Sequence, residues 1–512
     1  MAHAQPNRRI AIVPGPQFID YRTVIPPVGF SPAPVNIISP SFHHVHQVEV
    51  LVPFNPPVLA PVGYTLNPAI LIRMDEERTQ SLFQFMVNEG LVPSPEEEMK
   101  RKDAIAKLKQ MLLTWIKKVA WKRRLPKHQR TCATILTYGS YGLGVHGSDS
   151  DIDALCVGPW FATMEEDFFI DLRNMLQSRR EVSEIHCVKD AKVPLMRFKF
   201  DGISIDLPYA RLKVLYVPEN IDILNPFFLR NIDEISWRSL SGVRANIRIL
   251  QLVPNLENFQ SMLRCLKLWA RKRGVYGNLL GFFGGVHLAI LAAFVCQRHP
   301  NASVNALISK FFESFAFWPW PTPVMLQDGM MPMVGNVAEI RSFMPIRLPC
   351  SPFEFCHSNI TRRTFQRIRA EFLRGHAMTR DLLRTNFVWN SLFQPFPYTK
   401  KYPRFVRIFL STSDQNELGD WVGWVKSRFR SLLVKLEEEQ SIYDPNPSEY
   451  VDPDVAEPNI VFFWGLQPGQ SSFTDIESIG KSFMKNINNG YEGSCGRIEL
   501  SIVEASQLPK NA

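Results

Sequence analysis

One stretch limits the fold more than any other: Tyr138-Gly-Ser-Tyr-Gly-Leu-Gly-Val-His-Gly-Ser-Asp-Ser-Asp-Ile-Asp-Ala-Leu-Cys-Val157, a Gly-rich turn that runs into an Asp-x-Asp strand. Side chains alternate along a strand, so Asp151 and Asp153 project from one face while Ile152 and Ala154 point into the packed side. Two carboxylates this close repel in water-poor surroundings, and the arrangement makes sense when divalent cations sit between them. A third carboxylate comes from Phe200-Asp-Gly-Ile203, which reads as a hairpin because Asp-Gly tolerates the positive φ angles of two-residue turns. In the strand after it Ser204 and Asp206 share a face, which makes Asp206 the candidate to complete a triad. Oxygen-only ligands imply Mg²⁺ or Mn²⁺. Two such ions suit an in-line phosphoryl displacement, one activating the attacking hydroxyl and the other stabilising a pyrophosphate leaving group. Gly139 and Ser140, at the turn, let backbone N–H groups approach a triphosphate. Gly-Ser or Asp-x-Asp alone would carry little. Their order, ten residues apart and followed by a hairpin Asp, is specific.

The 512 residues predict about three domains, and 45 % hydrophobic residues are enough for a core in each. The first residues lack a signal-peptide pattern. The longest apolar run, Gly281 to Cys296, is short of the ~20 residues of a membrane span, so it reads as a buried helix and no membrane partner is expected. Eight Cys without a Cys-x-x-Cys pair give neither a disulfide framework nor a zinc site and fit a reducing compartment. The net charge of +9 suits polyanionic partners.

Proline density marks residues 1–73 as a flexible arm: 13 of the 39 prolines lie before residue 69. Residues 74–97 read as a helical segment packed on the middle of the chain, and 98–216 as an α/β catalytic domain whose first helix carries Ile105, Leu108, Leu112, Trp115, Ile116 and Val119 at helical spacing. The basic opposite face of that helix reads as a solvated face. Residues 217–395 are helical in pattern. Residues 396–505 give a βαβ…αβ order, with one helix over Glu417 to Leu436 and a disordered acidic loop at Tyr443 to Pro458. The fold class is α+β multidomain. His146 and His287 have no metal partners in the pattern and read as structural, and Trp269, Trp318 and Trp320 as core.

These residues resemble the polymerase-β-type nucleotidyltransferases, and within them the eukaryotic, plant-like poly(A) polymerases. The resemblance rests on Gly139-Ser-Tyr-Gly-Leu-Gly-Val-His146, Asp151-Ile-Asp-Ala-Leu-Cys-Val157, Phe200-Asp-Gly-Ile-Ser-Ile-Asp206 and Ala210-Arg-Leu212. It continues through Arg238-Ser-Leu-Ser-Gly-Val-Arg244, Leu252-Val-Pro-Asn255, Leu266-Lys-Leu-Trp-Ala-Arg-Lys-Arg273 and Leu280-Gly-Phe-Phe-Gly-Gly-Val286. It spans residues 75 to 505 and implies a nucleotidyltransferase palm, a helical middle domain and a C-terminal domain similar to an RNA-recognition fold. It also implies template-independent transfer of AMP from ATP to an RNA 3′-hydroxyl, with two ions on Asp151, Asp153 and Asp206. Tyr138, Gly139, Ser140 and Ile152 would border the nucleotide. Lys267 and Tyr276 would contact the phosphates, Asn278 would lie near the adenine, and Gly285 and Val286 would line the site.

The C-terminal sheet lacks an aromatic RNP signature. Arg362, Arg363, Arg367 and Arg369 are therefore the expected phosphate holders, giving salt-sensitive RNA binding, with a plain helical surface as the alternative. The resemblance further implies mRNA polyadenylation in the nucleus, a monomer, and cleavage and polyadenylation factors as candidate partners. Cytoplasmic residence is the alternative, since no basic tail appears before Ala512. Tyr138, where most members of the resembled family carry Phe, and the acidic loop Gly147 to Ser150 bear on positioning of the triphosphate. The rival readings are a transferase that prefers UTP or mixed nucleotides, and a catalytically silent RNA-binding subunit.

Overall fold

The computed structural model describes residues 67–126, 132–326, 342–438 other than 385, 442–467, and 476–509 other than 492, 494 and 495. Most of the expected N-terminal arm, residues 1–66, lies outside the described residues. Its expected end at residue 73 is corrected, because helix α1 (Pro68–Asn88) begins at Pro68. The Asn67 side chain accepts the Ala69 N–H at 3.0 Å. A proline in the first turn sacrifices no helical hydrogen bond, so Pro68 starts this helix rather than breaking it. Leu82, Phe85 and Met86 of α1 are buried in the helical core, Phe85 stacking on Phe393 at 4.8 Å.

Helix α2 (Pro95–Lys122) opens with a capping box between Ser94 and Glu97. Its apolar stripe from Ile105 to Val119 packs under the palm sheet. Its basic face is largely engaged: Lys107 pairs with Asp103 and Asp201, Lys122 with Asp171, and Arg123 with Glu166 and Asp167.

The palm sheet contains β1 (Thr134–Tyr138), β2 (Ile152–Gly158), β3 (Val182–Val188), β4 (Leu195–Phe200) and β5 (Ile203–Arg211), in the order β1-β2-β5-β4-β3. Only β2 and β5 run parallel, so the sheet is mixed. Asp201 and Gly202 take φ of +48° and +80°, which closes the β4–β5 hairpin.

The middle of the chain is helical: α3 (Glu234–Leu252), α4 (Leu256–Lys272), α5 (Gly285–Arg298), α6 (Val304–Ala316) and α7 (Arg362–Thr379). Helix α5 is buried from His287 to Cys296, as a helix apolar all round must be. Among the described residues, no helix is long and apolar enough to cross a membrane. Trp269 packs among Phe311, Phe312 and Phe372 at this core's centre.

A second sheet holds β6 (Arg404–Ser411), β7 (Ile442–Asp444), β8 (Asn459–Gln467) and β9 (Arg497–Glu504), all antiparallel, in the order β7-β8-β6-β9. One face packs on α8 (Gln415–Ser427), α9 (Phe429–Glu438) and α10 (Ile476–Ile487) through Val406, Ile408, Trp464, Trp421, Leu432 and Phe483. Here α8 and α9 correct the single helix expected over 417–436. The Arg428 N–H bonds Val425 O at 3.0 Å, and the Ser427 hydroxyl and Arg428 guanidinium both turn back onto Trp424 O, which ends the first helix.

The loop expected to be disordered, Tyr443 to Pro458, is ordered. Tyr443, Asp444 and Asn446 are buried, Tyr450 bridges to Val461, and Asp452 pairs with Arg407 at 2.7 Å. It helps cover the sheet face that carries Phe405, Phe409 and Phe463, so bases cannot stack there.

Arg367, expected to hold RNA phosphates, is instead buried. It bonds Glu371 at 2.7 Å and Asp444 at 3.1 Å, while Arg273 binds Glu371 through two bonds of 2.7 and 2.9 Å. Tyr402 donates to Asp444 at 2.7 Å, which closes a network across the seam between the helical core and the second sheet. Removing one member of a buried charge set strands the others. Glu371→Gln should therefore cost roughly 3 kcal/mol, read as a drop in thermal midpoint, while Arg369→Gln, at an exposed position, should leave it unchanged.

Candidate active site

The sheet register builds the acidic cluster. Tyr138 faces Asp153 across β1–β2, Asp153 lies beside Asp206 across β2–β5, and Arg197 faces Asp206 across β4–β5. Asp151, exposed at the entry to β2, completes a set in which one carboxylate oxygen from each residue lies within 4.8 Å of the others. Burial, then the charges of Asp151 and Asp206, push the Asp153 carboxyl up to about 7, against the pull of Lys267 and Arg197. An all-oxygen set with unbalanced negative charge fits hard divalent cations. Arg197 forks onto both Asp206 oxygens at 2.7 and 2.8 Å.

The Gly-rich turn presses against this set. Gly139 has φ of +60°, and a Cβ on it would lie 1.8 Å from Asp153 Oδ2. Only glycine permits both the backbone angle and the approach. The Gly139 carbonyl accepts from the Asn246 side chain of α3 at 3.0 Å, so a helix outside the palm holds the turn.

A cleft of about 1100 Å³ opens between palm and helical core. Tyr138, Gly139, Ser140, the three aspartates, Arg197 and Ser204 line one side, and Arg264, Lys267, Arg271, Tyr276, Gly285 and Val286 the other. Lys267 is 8 % exposed, and burial together with Arg271 lowers its ammonium to about 8, partly offset by Asp151 and Asp153. Arg271 lies over the Tyr276 ring at 5.5 Å. Gly285 opens α5, whose first N–H groups favour an anion.

Two sequence-derived residues stand apart from the cleft. The Ile152 side chain is fully buried in the palm core. Asn278 does not line the cavity either; its amide donates to His357 O at 3.2 Å, and its Oδ1 is buried without a partner among the described residues. Arg197, Arg264, Arg271 and Asn246 are additions from the structure. Arg264 and Arg271 stand three residues before and four after Lys267 on α4, a spacing that places them on its face. Counting back from the Asp-Gly turn sets Arg197 opposite Asp206.

The two histidines are held within the protein. His146 Nε2 meets Glu98 at 2.9 Å, and His287 Nδ1 accepts the Gly284 N–H at 2.9 Å, capping α5. Burial, then the neighbouring His357, lowers His287 to about 4. The unfolded chain therefore takes up this proton at a higher pH than the fold does, and stability should fall as pH drops from about 6.5 through about 4. Thermal midpoints across that window should decline less steeply for His287→Gln, which keeps an acceptor for Gly284.

A family model described as the poly(A) polymerase nucleotidyltransferase domain matches residues 72–253, and one described as the poly(A) polymerase central domain matches 258–395. Nuclear poly(A) polymerase 3 of Arabidopsis thaliana is 60 % identical over 440 residues, covering 85 % of this chain and 86 % of the relative. Nuclear poly(A) polymerase 2 of the same plant is 40 % identical over 455 residues, covering 85 % of this chain and 57 % of the relative. The poly(A) polymerase of Dictyostelium discoideum is 39 % identical over 389 residues, covering 74 % of this chain and 48 % of the relative.

Proposed function

The chain belongs to the poly(A) polymerase family, and from that membership we propose that its cleft transfers AMP from ATP to the 3′-hydroxyl of RNA without a template, releasing pyrophosphate. The observation that carries the reading is the three-carboxylate cluster facing a cationic helix across one cleft. Asp151, Asp153 and Asp206 would hold two divalent ions, Mg²⁺ or Mn²⁺, which acidify the attacking hydroxyl and offset charge on the transferring phosphoryl group. The chain's own residues do the rest. Lys267 and Arg271 supply positive charge for the triphosphate, and Ser140 and Gly285 offer backbone N–H groups. Tyr276, with Arg271 over its ring, walls the nucleotide pocket. Asn278 reads the adenine once its amide leaves the His357 carbonyl. Phosphates beside Lys267 would offset the burial that lowers its ammonium, so its contribution grows on substrate binding.

Nuclear residence follows the names of the Arabidopsis relatives. We further infer a monomer that acts on mRNA 3′ ends together with cleavage and polyadenylation factors. Competition tests the nucleotide choice: a short labelled RNA and an equimolar mixture of the four nucleoside triphosphates, with the added tail sequenced. Tails made almost wholly of A are expected. Tails rich in U would replace this reading by a uridylyl transferase, and no extension of an RNA that still binds would replace it by a silent RNA-binding subunit.

A further inference from the structure

Arg197 sits where a cation should. Its guanidinium occupies both oxygens of Asp206, the planar two-bond geometry in which arginine holds a carboxylate most firmly. The Asp206 side chain is 13 % exposed while that of Arg197 is 58 % exposed. The carboxylate is thus fixed in the wall, and the guanidinium is free to swing into the cleft.

Two positive groups cannot share Asp206 at contact distance without strong repulsion in this half-buried setting. Lys199, the next residue on the same face of β4, is tied to Glu184 at 2.8 Å and does not compete for the site. Two further acids favour the charged form of Arg197: Asp151, itself in the triad, and Asp420 on α8.

Resting on the metal reading above, we propose that Arg197 is an internal counterion that Asp206 exchanges for a divalent cation, the released guanidinium then taking an RNA phosphate. Cation binding and RNA binding are thereby coupled: each makes the other tighter, by the same factor. In the cation-free protein the pair keeps the triad from carrying three unbalanced charges. In the loaded protein Arg197 becomes a donor fork on the cleft wall, suited to phosphate. Lysine at this position would neutralise Asp206 as a point charge but would hold neither group bidentately.

The test uses the full chain without nucleotide, so that no reaction occurs. Mn²⁺ binding is followed by paramagnetic resonance of the free ion, and binding of a labelled oligoadenylate by anisotropy with and without Mn²⁺. Arg197→Met should bind Mn²⁺ about fivefold more tightly than the native chain, the scale of a half-exposed charged pair. Its RNA affinity should no longer respond to Mn²⁺, whereas that of the native chain rises. Arg197→Lys should fall between the two in both measurements. Equal or weaker Mn²⁺ binding by Arg197→Met overturns the proposal. Tighter Mn²⁺ binding with an unchanged RNA response overturns the release to phosphate and points to Asp420 as the acceptor. Native chain that binds no Mn²⁺, or Asp153→Ala that binds it equally well, contradicts the metal reading itself rather than the exchange.

Discussion

Asp153→Asn is expected to reduce RNA extension by at least about a thousandfold while the fold and most RNA binding survive. Asp153 lies at the centre of the cluster, beside Asp206 in the register and under Gly139, so any ion held by the triad depends on it. Its carboxyl, raised to about 7 by burial and by like charges, is strained when ionised. In the cation-free protein the fold therefore binds this proton more tightly than the unfolded chain does, and native stability falls as pH rises from about 4 to about 7. Removing the charge removes that loss, so at pH 8 the variant should melt no lower than the native chain. Calorimetry beside a primer-extension gel would show both effects. A variant that melts much lower would mean that the lost activity reports unfolding.

Gly139→Ala is expected to lower extension about a hundredfold, the scale on which a displacement near 1 Å acts at a reacting centre. The added methyl would fall 1.8 Å from Asp153 Oδ2, and the φ of +60° costs an L-residue roughly 1–2 kcal/mol more. Either Asp153 turns from its partners or the turn retreats from the phosphates. A control with the same backbone demand isolates the effect. Gly202 has φ of +80° but open space where its Cβ would be, so Gly202→Ala, which carries the same backbone strain without a contact, should extend RNA at the native rate. Comparable losses in both variants would trace the effect to backbone strain instead of to the contact with Asp153.

What could be read from the sequence divides along a physical line. Strand periodicity and an Asp-Gly turn are local, so the sequence alone sets Asp151 and Asp153 on one strand face and Asp206 beside Ser204 on the strand after the hairpin, while the β2–β5 register that joins them is not local. The amphipathic pattern of α4 likewise placed Lys267 on a helix. Arg367 was beyond reach, because its partner Asp444 lies 77 residues away and nothing local distinguishes a buried arginine from a solvated one. The segment from Tyr443 to Pro458 has the composition of a disordered loop and is ordered by tertiary contacts at Tyr443, Asp444 and Asp452. Strand β3, an edge strand, escaped the pattern for a third reason. Its register shifts between Ser183 and His186, and Glu184 takes φ of +53°, so the alternation breaks where it would have been recognised. Asn278 shows the limit of motif transfer, since a matching position says nothing of where an unliganded amide turns.

The most direct test of the account is single-nucleotide addition to a labelled oligoadenylate, with ATP as sole nucleotide. Native chain with Mg²⁺, native chain with excess chelator, and Asp153→Asn with Mg²⁺ are run side by side. The account predicts a ladder in the first lane alone, restored in the second by returning the metal. Extension that persists with chelator, or in the Asp153 variant, would contradict it.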